Sequence, residues 1–371
     1  MLELHVETSA QLHALCTQLR GSTWLALDTE FIREKTYYPN FCLLQICNGD
    51  LAASVDPLAI EDLSELAEII YDSSIVKIFH AGRQDLEIFH QLWGKLPQPL
   101  FDTQLAAPLL GLDDQIGYAN LVEKLTGRKL EKGHSRTDWS RRPLTREQLR
   151  YALDDVIYLG EIYTDMRSQL HALKRETWLQ DELDILSSPA TYTIDPQTVW
   201  QRVKGSQRLT GEQLALLQAI SAWREQEAER ANRPRRWILK DQALIELACR
   251  QPTNLEELEQ IHLLEPGNIK RNGGILLKLI ATAKELPADE WPQPKAAPTR
   301  LSAAQKASVE RMQSRLQQIA DQQGINPSAL ARRKELELLA SGKRDSELLH
   351  GWRKALVGDS LIAVLEGRSK P

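Results

Sequence analysis

The stretch TWLALDTEF, residues 23–31, is the segment on which the interpretation of the fold depends. Its apolar and β-favouring residues predict a buried β-strand. Asp28 and Glu30 interrupt this strand two positions apart, and alternate residues of a strand project from the same face. Two buried carboxylates are costly unless a cation neutralises them. The alternative is the exposed face of a half-buried strand, which is the default for a single D-x-E pattern.

The segments around this strand alternate between strand and helix patterns. Further strands are predicted at FCLLQIC (41–47), LAASVDP (51–57), IVKIFH (75–80) and PLFDT (99–103). Helical spacing of apolar residues is found at IEDLSELAEIIYD (60–72), DLEIFHQLWG (85–94) and from about Thr145 to about Ile185. This order predicts an α/β fold in which a mixed sheet is flanked by helices.

The second half of the chain contains helical patterns only. Breaks at SSPATYTIDPQT (187–198) and at the proline-rich LPADEWPQPKAAPT (286–299) divide it. We therefore expect an α/β domain over residues 1–190, followed by two small all-helical domains over residues 207–288 and 300–371.

Composition places the protein among soluble cytoplasmic proteins without membrane attachment. The chain has 371 residues, of which 42% are hydrophobic, and no apolar run approaches the ~18–20 residues of a membrane helix. Its four cysteines show no zinc-site or disulfide spacing, so we expect reduced thiols. The net charge of −5 hides an asymmetry, because residues 1–190 carry −11 and the remainder carries +6. Local basic patches of this kind suit a polyanionic partner, although solvated helix faces remain an equal alternative.

Four further aspartates have both a functional and a structural interpretation. Asp85 follows a strand at the start of a helix, where helix capping and a functional role are equally plausible. Asp102 has similar surroundings, and there capping is favoured. In YALDDV (151–156), a helical wheel places Asp155 within about 40° of Tyr151, beside the core face, and turns Asp154 towards solvent.

Carboxylates grouped without Cys or His suit hard cations such as Mg²⁺ or Mn²⁺. Two such ions stabilise the attacking and leaving oxygens of an in-line phosphoryl displacement. The order D-x-E, then a central Asp, then Y-x-x-x-D resembles the DEDD superfamily of 3′→5′ exonucleases, in its tyrosine-containing subgroup. ALDTEF (26–31), HAGRQDLEIF (80–89) and SRTDWSRRPLT (135–145) are similar in detail to the ribonuclease D family. In the second half, residues 216–248 resemble an HRDC domain (helicase and RNase D C-terminal), and residues 301–371 resemble a divergent second copy.

This resemblance implies an RNase H-like fold and a 3′→5′ exoribonuclease that releases 5′-mononucleotides with two divalent metal ions, Mg²⁺ or Mn²⁺. Asp28 would bridge both ions, Glu30 and Asp155 would complete the first site, and Asp85 would support the second. Tyr151 would orient the nucleophilic water. The implied substrates are tRNA precursors and other small structured RNAs with 3′ trailers, and the expected state is a monomer.

Basic residues near these positions are candidates for RNA contact. Lys132, Arg136 and Arg142, with Trp139 as an apolar anchor, precede the helix of Asp155. The alternative there is a basic loop over a buried tryptophan. Sequence-independent phosphate contacts are also expected from the helical domains, at Arg233, Arg235, Arg236 and Lys240. We expect Trp200, Trp223, Trp237 and Trp352 to be core residues rather than stacking platforms.

Two other functions compete with this interpretation. A DNA exonuclease would use the same metals, but the chain carries no polymerase or helicase half. A non-catalytic RNA-binding adaptor would lack at least one metal ligand, and every position of the set is present.

Overall fold

The computed structural model describes residues 1–130, 133, 137–293 and 301–368. The chain separates into two structural units. The first comprises Met1–Ile32, Phe41–Tyr192 and Arg300–Pro371, and the second comprises Arg33–Asn40 and Thr193–Thr299. All four cysteines are free thiols. Within the described ranges, every helix is too short or too polar to cross a bilayer.

A six-stranded sheet forms the centre of the first unit. Its strands are β1 (Leu2–Val6), β2 (Trp24–Ile32), β3 (Asn40–Cys47), β4 (Leu51–Val55), β5 (Val76–Phe79) and β6 (Leu100–Asp102). They lie in the order β1-β4-β3-β2-β5-β6. The pairs β1–β4, β2–β5 and β5–β6 are parallel, whereas β3–β4 is antiparallel. The predicted mixed sheet is therefore confirmed.

β2 lies inside the sheet, between β3 and β5. Leu25, Ala26 and Leu27 are fully buried, so the apolar part of the stretch is a core strand as predicted. β1 was missed from the sequence. It is an edge strand whose first residues are exposed, and an edge strand does not need the apolar pattern of a central one.

Among the described residues before Tyr192, eight α-helices accompany this sheet. They are α1 (Ser9–Leu19), α2 (Ser64–Ile70), α3 (Arg83–Trp93), α4 (Thr103–Ala106), α5 (Tyr118–Thr126), α6 (Arg146–Ile157), α7 (Leu159–Ala172) and α8 (Glu176–Leu186). The helical run predicted from about Thr145 is thus three helices, interrupted at Tyr158 and after Ala172. Their apolar faces and those of the strands form one continuous core.

The second unit is helical, as expected. It contains α9 (Gly211–Arg230), α10 (Arg235–Ile238), α11 (Asp241–Arg250), α12 (Leu255–Glu259) and α13 (Pro266–Lys284), which surround a leucine- and isoleucine-rich core. The segment Arg33–Asn40 packs within this unit. The Tyr37 hydroxyl donates to the Glu225 carboxylate at 2.5 Å, and Asn232 Oδ1 accepts from the backbone N–H groups of Tyr37 and Tyr38.

The last segment of the chain belongs to the first unit. Its helices α14 (Ala303–Gln323), α15 (Pro327–Leu330), α16 (Arg333–Ala340), α17 (Gly351–Arg353) and α18 (Asp359–Leu365) enclose a core of their own. Trp352 stacks on Trp178 of α8 with ring centroids 4.6 Å apart and planes 10° from parallel. Arg175 donates to the carbonyls of Leu109 and Gln323 and so connects this segment to the helices beside the sheet.

Candidate active site

Strand β2 carries two half-buried carboxylates in an otherwise buried strand. Asp28 and Glu30 are partly accessible, whereas Leu27 and Thr29 are buried. The third carboxylate comes from α6, more than 120 residues later in the chain. Asp28, Glu30 and Asp155 each place a carboxylate oxygen within 4.8 Å of the other two. The structure therefore brings three of the predicted acids together from a strand and a distant helix.

The two aspartates of YALDDV have different partners, although Asp154, with 21% of its side chain exposed, faces solvent less than the helical wheel predicts. A capping box fixes the start of α6, in which the Thr145 hydroxyl accepts from the Gln148 N–H and the Gln148 side chain accepts from the Thr145 N–H. Ala152 and Val156 then face the core, and Asp155 faces the strand carboxylates. Asp154 instead pairs with Arg150 one turn earlier.

Asp85, near the start of α3, contacts β2 next to this group. It is buried, with an exposure of 6%, and its Oδ1 accepts from the Thr29 hydroxyl at 2.5 Å. Gly82 rather than Asp85 is the N-cap residue of α3, so capping does not account for Asp85. Asp102 is a cap, as predicted, because its carboxylate accepts from the N–H groups of Gln104 and Leu105.

Asp102 also accepts from the N–H of Gly82 at 2.8 Å, which anchors the turn before α3. A Cβ at Gly82 would lie 2.5 Å from the Phe79 Cβ, so only glycine fits where this turn passes the strand. His80 has a structural role at the same corner. Its Nδ1 lies 2.9 Å from the Thr103 hydroxyl, and burial lowers the pKa of its ring.

Burial is the largest cause that raises the pKa of every acid in the group, and nearby carboxylates add to it. The pKa of Asp28 lies well above its usual range because of burial and the charges of Asp85, Asp155 and Glu30. Burial, with the charges of Asp155 and Asp85, raises the pKa of Glu30 to about 8. Burial, with the charges of Asp154 and Asp85, raises that of Asp155 to about 7. For Asp85 burial raises the pKa to about 6, against the opposing effect of the Thr29 hydrogen bond. These four acids do not readily ionise together unless a bound cation takes the place of their protons. Because all of the ligand atoms are oxygens, the group suits a hard divalent ion.

Tyr151 lies on α6 one turn before Asp155 and is half-buried. Burial, followed by the charges of Asp155, Glu30 and Asp28, raises the pKa of Tyr151 to about 12, so its hydroxyl keeps its proton at neutral pH. Its ring stacks on Trp139, with centroids 6.3 Å apart and planes 28° from parallel. Tyr118 was missed from the sequence, because no motif connects it to α6. Its hydroxyl donates to the Asp154 carbonyl at 3.0 Å, and burial, with the charges of Asp155 and Asp28, raises its pKa.

Two predicted RNA-contacting side chains before α6, Trp139 and Arg142, are engaged inside the protein, which is the alternative that the sequence left open. Trp139 has an exposure of 3% and packs with Cys42, Leu43 and Ala152, so it presents no face for a base. Arg142 donates to the Asp56 carboxylate at 2.5 and 2.8 Å and to the carbonyl of Cys42 at 2.7 Å. These contacts give Trp139 and Arg142 a structural role rather than a role in RNA binding. Lys132 and Arg136 lie outside the described residues.

The predicted basic residues of the second unit lie around α10. Arg233 and Arg236 are exposed, whereas Arg235 pairs with Glu225 at 2.8 Å and lies over the Tyr37 ring. The expectation for Trp237 was wrong, because 59% of its surface is exposed. Short helix α10 turns this ring outward while the next residue, Ile238, is buried. Trp200 is buried in the core of this unit, and Trp223 and Trp352 are packed against apolar clusters, as expected.

Sequence comparison with known proteins covers both halves of the chain. A family profile of 3′→5′ exonucleases matches residues 4–171, and an HRDC domain profile matches residues 213–280. The chain is 39% identical to a ribonuclease D of Granulibacter bethesdensis, over 98% of this chain and 92% of that protein. It is 37% identical to a ribonuclease D of Pseudomonas paraeruginosa, over 97% of each.

Structural comparison agrees over the full length. The structure is similar to the crystal structure of Escherichia coli RNase D, an exoribonuclease involved in structured RNA processing, with a TM-score of 0.87, 33% identity and 100% coverage of both chains. Strand β2 and helices α3 and α6, which supply the four acids and Tyr151, all lie within the exonuclease match. Ribonuclease D relatives align with nearly the whole chain, and the structure brings the carboxylates of the site together. The chain therefore belongs to the ribonuclease D family.

Proposed function

We propose that the protein is a metal-dependent 3′→5′ exoribonuclease that hydrolyses RNA from its 3′ end and releases 5′-mononucleotides. The observation that carries this proposal is the convergence of Asp28, Glu30 and Asp155 within 4.8 Å. Such a group is unfavourable by itself, since burial and neighbouring carboxylates raise the pKa of each of its members. A role in holding divalent cations explains why the fold retains it.

The residues at the site take distinct roles. Asp28, Glu30 and Asp155, with Asp85 beside them, hold the cations, for which we propose Mg²⁺ or Mn²⁺. When bound, two such ions neutralise the charge that develops on the attacking and leaving oxygens of a phosphodiester. The Thr29 hydroxyl keeps one oxygen of Asp85 occupied and so orients its carboxylate.

Tyr151 is proposed as the residue that positions the attacking water. Because its pKa is about 12, the hydroxyl remains protonated at neutral pH, so it acts by hydrogen bonding and not as a general base. The stacked Trp139 ring limits the movement of the tyrosine ring. Pre-set positioning of this kind removes part of the entropic cost of bringing water and phosphate together.

The RNA contacts, substrates and boundaries are further parts of the proposal. Arg233 and Arg236 are exposed cations suited to phosphates, and Arg235 lies between them in the chain. Among RNAs, we propose tRNA precursors and other small structured RNAs with 3′ trailers. We also propose domain boundaries at 1–190, 207–288 and 300–371, action as a monomer, and a cytoplasmic location.

The test is a trimming assay on an RNA oligomer with a 5′ label and a free 3′-OH, in Mg²⁺, in Mn²⁺ and in EDTA. Wild type is expected to shorten the RNA one nucleotide at a time and to stop in EDTA. Asp28→Ala and Asp155→Asn are expected to remove nearly all activity, whereas Asp154→Asn should retain most of it. Mononucleotide release by either of the first two variants at the wild-type rate would contradict the proposal. A DNA oligomer of the same sequence, if trimmed faster than RNA, would redirect it to DNA.

A further inference from the structure

Trp237 is the exception among the tryptophans of this protein. All nine lie in the described residues, and the other eight are buried or half-buried. A buried indole contributes substantially to the free energy of unfolding. Because 59% of Trp237 is exposed, the protein lacks much of that stabilisation at this position. Trp237 is also the only aromatic residue among the exposed large hydrophobic residues of the described chain. Its exposure therefore calls for an external contact.

The ring stands between two cavities of the second unit. One has a volume of about 610 Å³ and the other about 840 Å³, and Trp237 lines both. Arg236 and Asp241 are shared in the same way. Each volume is within the range of about 300–1,000 Å³ found for small-ligand sites. A flat group placed on either side of the indole would thus have space.

The charge around the ring is positive once internal ion pairs are counted. Asp241 is paired with Arg224 at 2.7 Å, and Glu225 is paired with Arg235 at 2.8 Å. The remaining acid of the larger cavity, Glu246, pairs with Arg250. The smaller cavity also contains Glu34, next to Arg33.

Four cations are left over. Arg202 lines the smaller cavity, Lys204 and Lys240 line the larger one, and Arg236 lines both. None of these four has a carboxylate within ion-pairing distance in the described part of the chain. An exposed indole bordered by available Arg and Lys side chains matches a ligand that alternates flat rings with anionic groups. Single-stranded nucleic acid has this chemistry.

We propose that Trp237 is a stacking platform for an unpaired base of RNA, with Arg202, Lys204, Arg236 and Lys240 holding the adjacent phosphates. The proposal rests on the proposed function only in taking RNA as the ligand. Stacking requires a base whose face is free, so a duplex is excluded, and every base offers such a face, so recognition is tolerant of sequence. The platform thus selects unpaired segments of structured RNAs.

The experiment measures binding of the full-length protein in EDTA, so that the RNA is not cleaved. The probes are a fluorescein-labelled 12-nucleotide single strand and the same strand in a blunt duplex. Trp237→Ala is expected to raise the Kd for the single strand at least about fivefold, as the loss of one stacked base implies, and to leave the duplex Kd within about twofold. Trp237→Phe keeps a stacking ring and should stay within about threefold of wild type. Ile275→Ala, which removes a 46% exposed apolar residue of the same unit away from both cavities, is the matched control and should bind as wild type does.

Two further measurements fix the assignment. Lys240→Ala is expected to reduce the dependence of the Kd on salt by about one counterion, whereas Lys278→Ala, an exposed lysine outside the cavities, should leave the slope unchanged. Saturating single strand should quench tryptophan fluorescence in wild type and quench it less in Trp237→Phe. A Kd unchanged in Trp237→Ala, or equal quenching in wild type and Trp237→Phe, would overturn the proposal, and the exposed ring would then be assigned to a protein partner. Because these assays need no hydrolysis, their failure is distinct from a failure of the trimming assay.

Discussion

Neutralising one acid of the carboxylate group should stabilise the protein in the absence of metal while destroying its activity. The variant is Asp155→Asn, and the matched control is Asp154→Asn, the adjacent residue on the same helix. Asp155 lies within 4.8 Å of Asp28 and Glu30, whereas Asp154 pairs with Arg150. The two substitutions are chemically identical, so a difference between them reports on the surroundings of each side chain.

The magnitude follows from the distance and from the pKa. Two unit charges within 4.8 Å of each other repel by about 3.5 kcal/mol or more at an effective dielectric constant of 20. A carboxyl with a pKa of about 7 instead of its ordinary 3.8 costs up to roughly 4 kcal/mol when forced to ionise. The folded wild type avoids part of this cost because the acids of the group share protons. The Asn side chain of the variant carries no charge, but it regains only part of the remaining free energy. We therefore expect Asp155→Asn to gain about 1–2 kcal/mol, or a Tm increase of about 2–8 °C.

The pH dependence has a definite sign. Raised pKa values mean that the folded state binds protons more tightly than the unfolded state does. Proton binding by these acids therefore contributes its full share to the free energy of unfolding below about pH 4, and this share is lost as pH rises. The loss occurs between about pH 4 and the values of about 7 for Asp155 and about 8 for Glu30. The advantage of Asp155→Asn over wild type should therefore be small at pH 5 and full at pH 8.5. Asp154→Asn loses the ion pair with Arg150 but also removes a charge that raises the pKa of Asp155. These two effects oppose each other, so its Tm should stay within about 1 °C of wild type.

The assay is thermal unfolding followed by intrinsic fluorescence in EDTA at both pH values, and then in Mn²⁺. Metal should make wild type more stable than Asp155→Asn. A ligand that binds only the folded state, present at 100 times its Kd, adds about 2.7 kcal/mol to the free energy of unfolding. Wild type and Asp154→Asn should gain this stabilisation and Asp155→Asn much less. If Asp155→Asn melts below wild type in EDTA at pH 8.5, or gains as much from Mn²⁺ as wild type does, the carboxylates are not held together against their repulsion and the reasoning fails.

Three other predictions concern the supports of the site. Tyr151→Phe removes only a hydroxyl, so kcat for RNA trimming should fall about tenfold to a hundredfold, as the loss of one hydrogen bond implies, with little change in Tm. Trp139→Leu should also lower kcat and leave KM unchanged, because the ring stacked on Tyr151 is lost, whereas a rise in KM alone would assign Trp139 to substrate binding. Arg142→Met leaves the 1% exposed Asp56 carboxylate without its partner and should cost about 3–5 kcal/mol in urea denaturation. In the variant, burial raises the pKa of Asp56 without the Arg142 contacts that lower it in wild type, so the carboxyl should protonate more readily. The cost of the substitution should therefore be largest near neutral pH and should shrink as pH falls towards 4 and below.

Periodicity explains which features could be predicted from the sequence. The alternation of a strand places Asp28 and Glu30 on one face, and the 100° step of a helix separates Asp155 from Asp154, so both results follow from local geometry. Trp237 could not be predicted, because its exposure depends on a four-residue helix whose next residue turns inward. A helical wheel carries no information about so short an element.

Partners far away in the chain account for the other differences. The basic segment before α6 looked like a phosphate-binding surface, but Arg142 is occupied by Asp56, 86 residues earlier in the chain. Tyr118 lies 36 residues before the carbonyl of Asp154 that accepts its hydrogen bond. Neither contact has a signature within one segment, so local patterns favour RNA binding for Arg142 and do not indicate a role for Tyr118.

These contacts together explain how a repulsive group of acids is kept in place. Before α6, Arg142 joins the Asp56 carboxylate to the carbonyl of Cys42 in β3, and Trp139 packs between that strand and Tyr151. Near the other end of the helix, Tyr118 bonds the carbonyl beside Asp155. Since α6 is held on both sides of its acid, moving Asp155 away from Asp28 would require the loss of buried ionic or aromatic contacts. The repulsion is thus opposed by structure that does not touch the cations, and so the fold can present the carboxylates before any metal arrives.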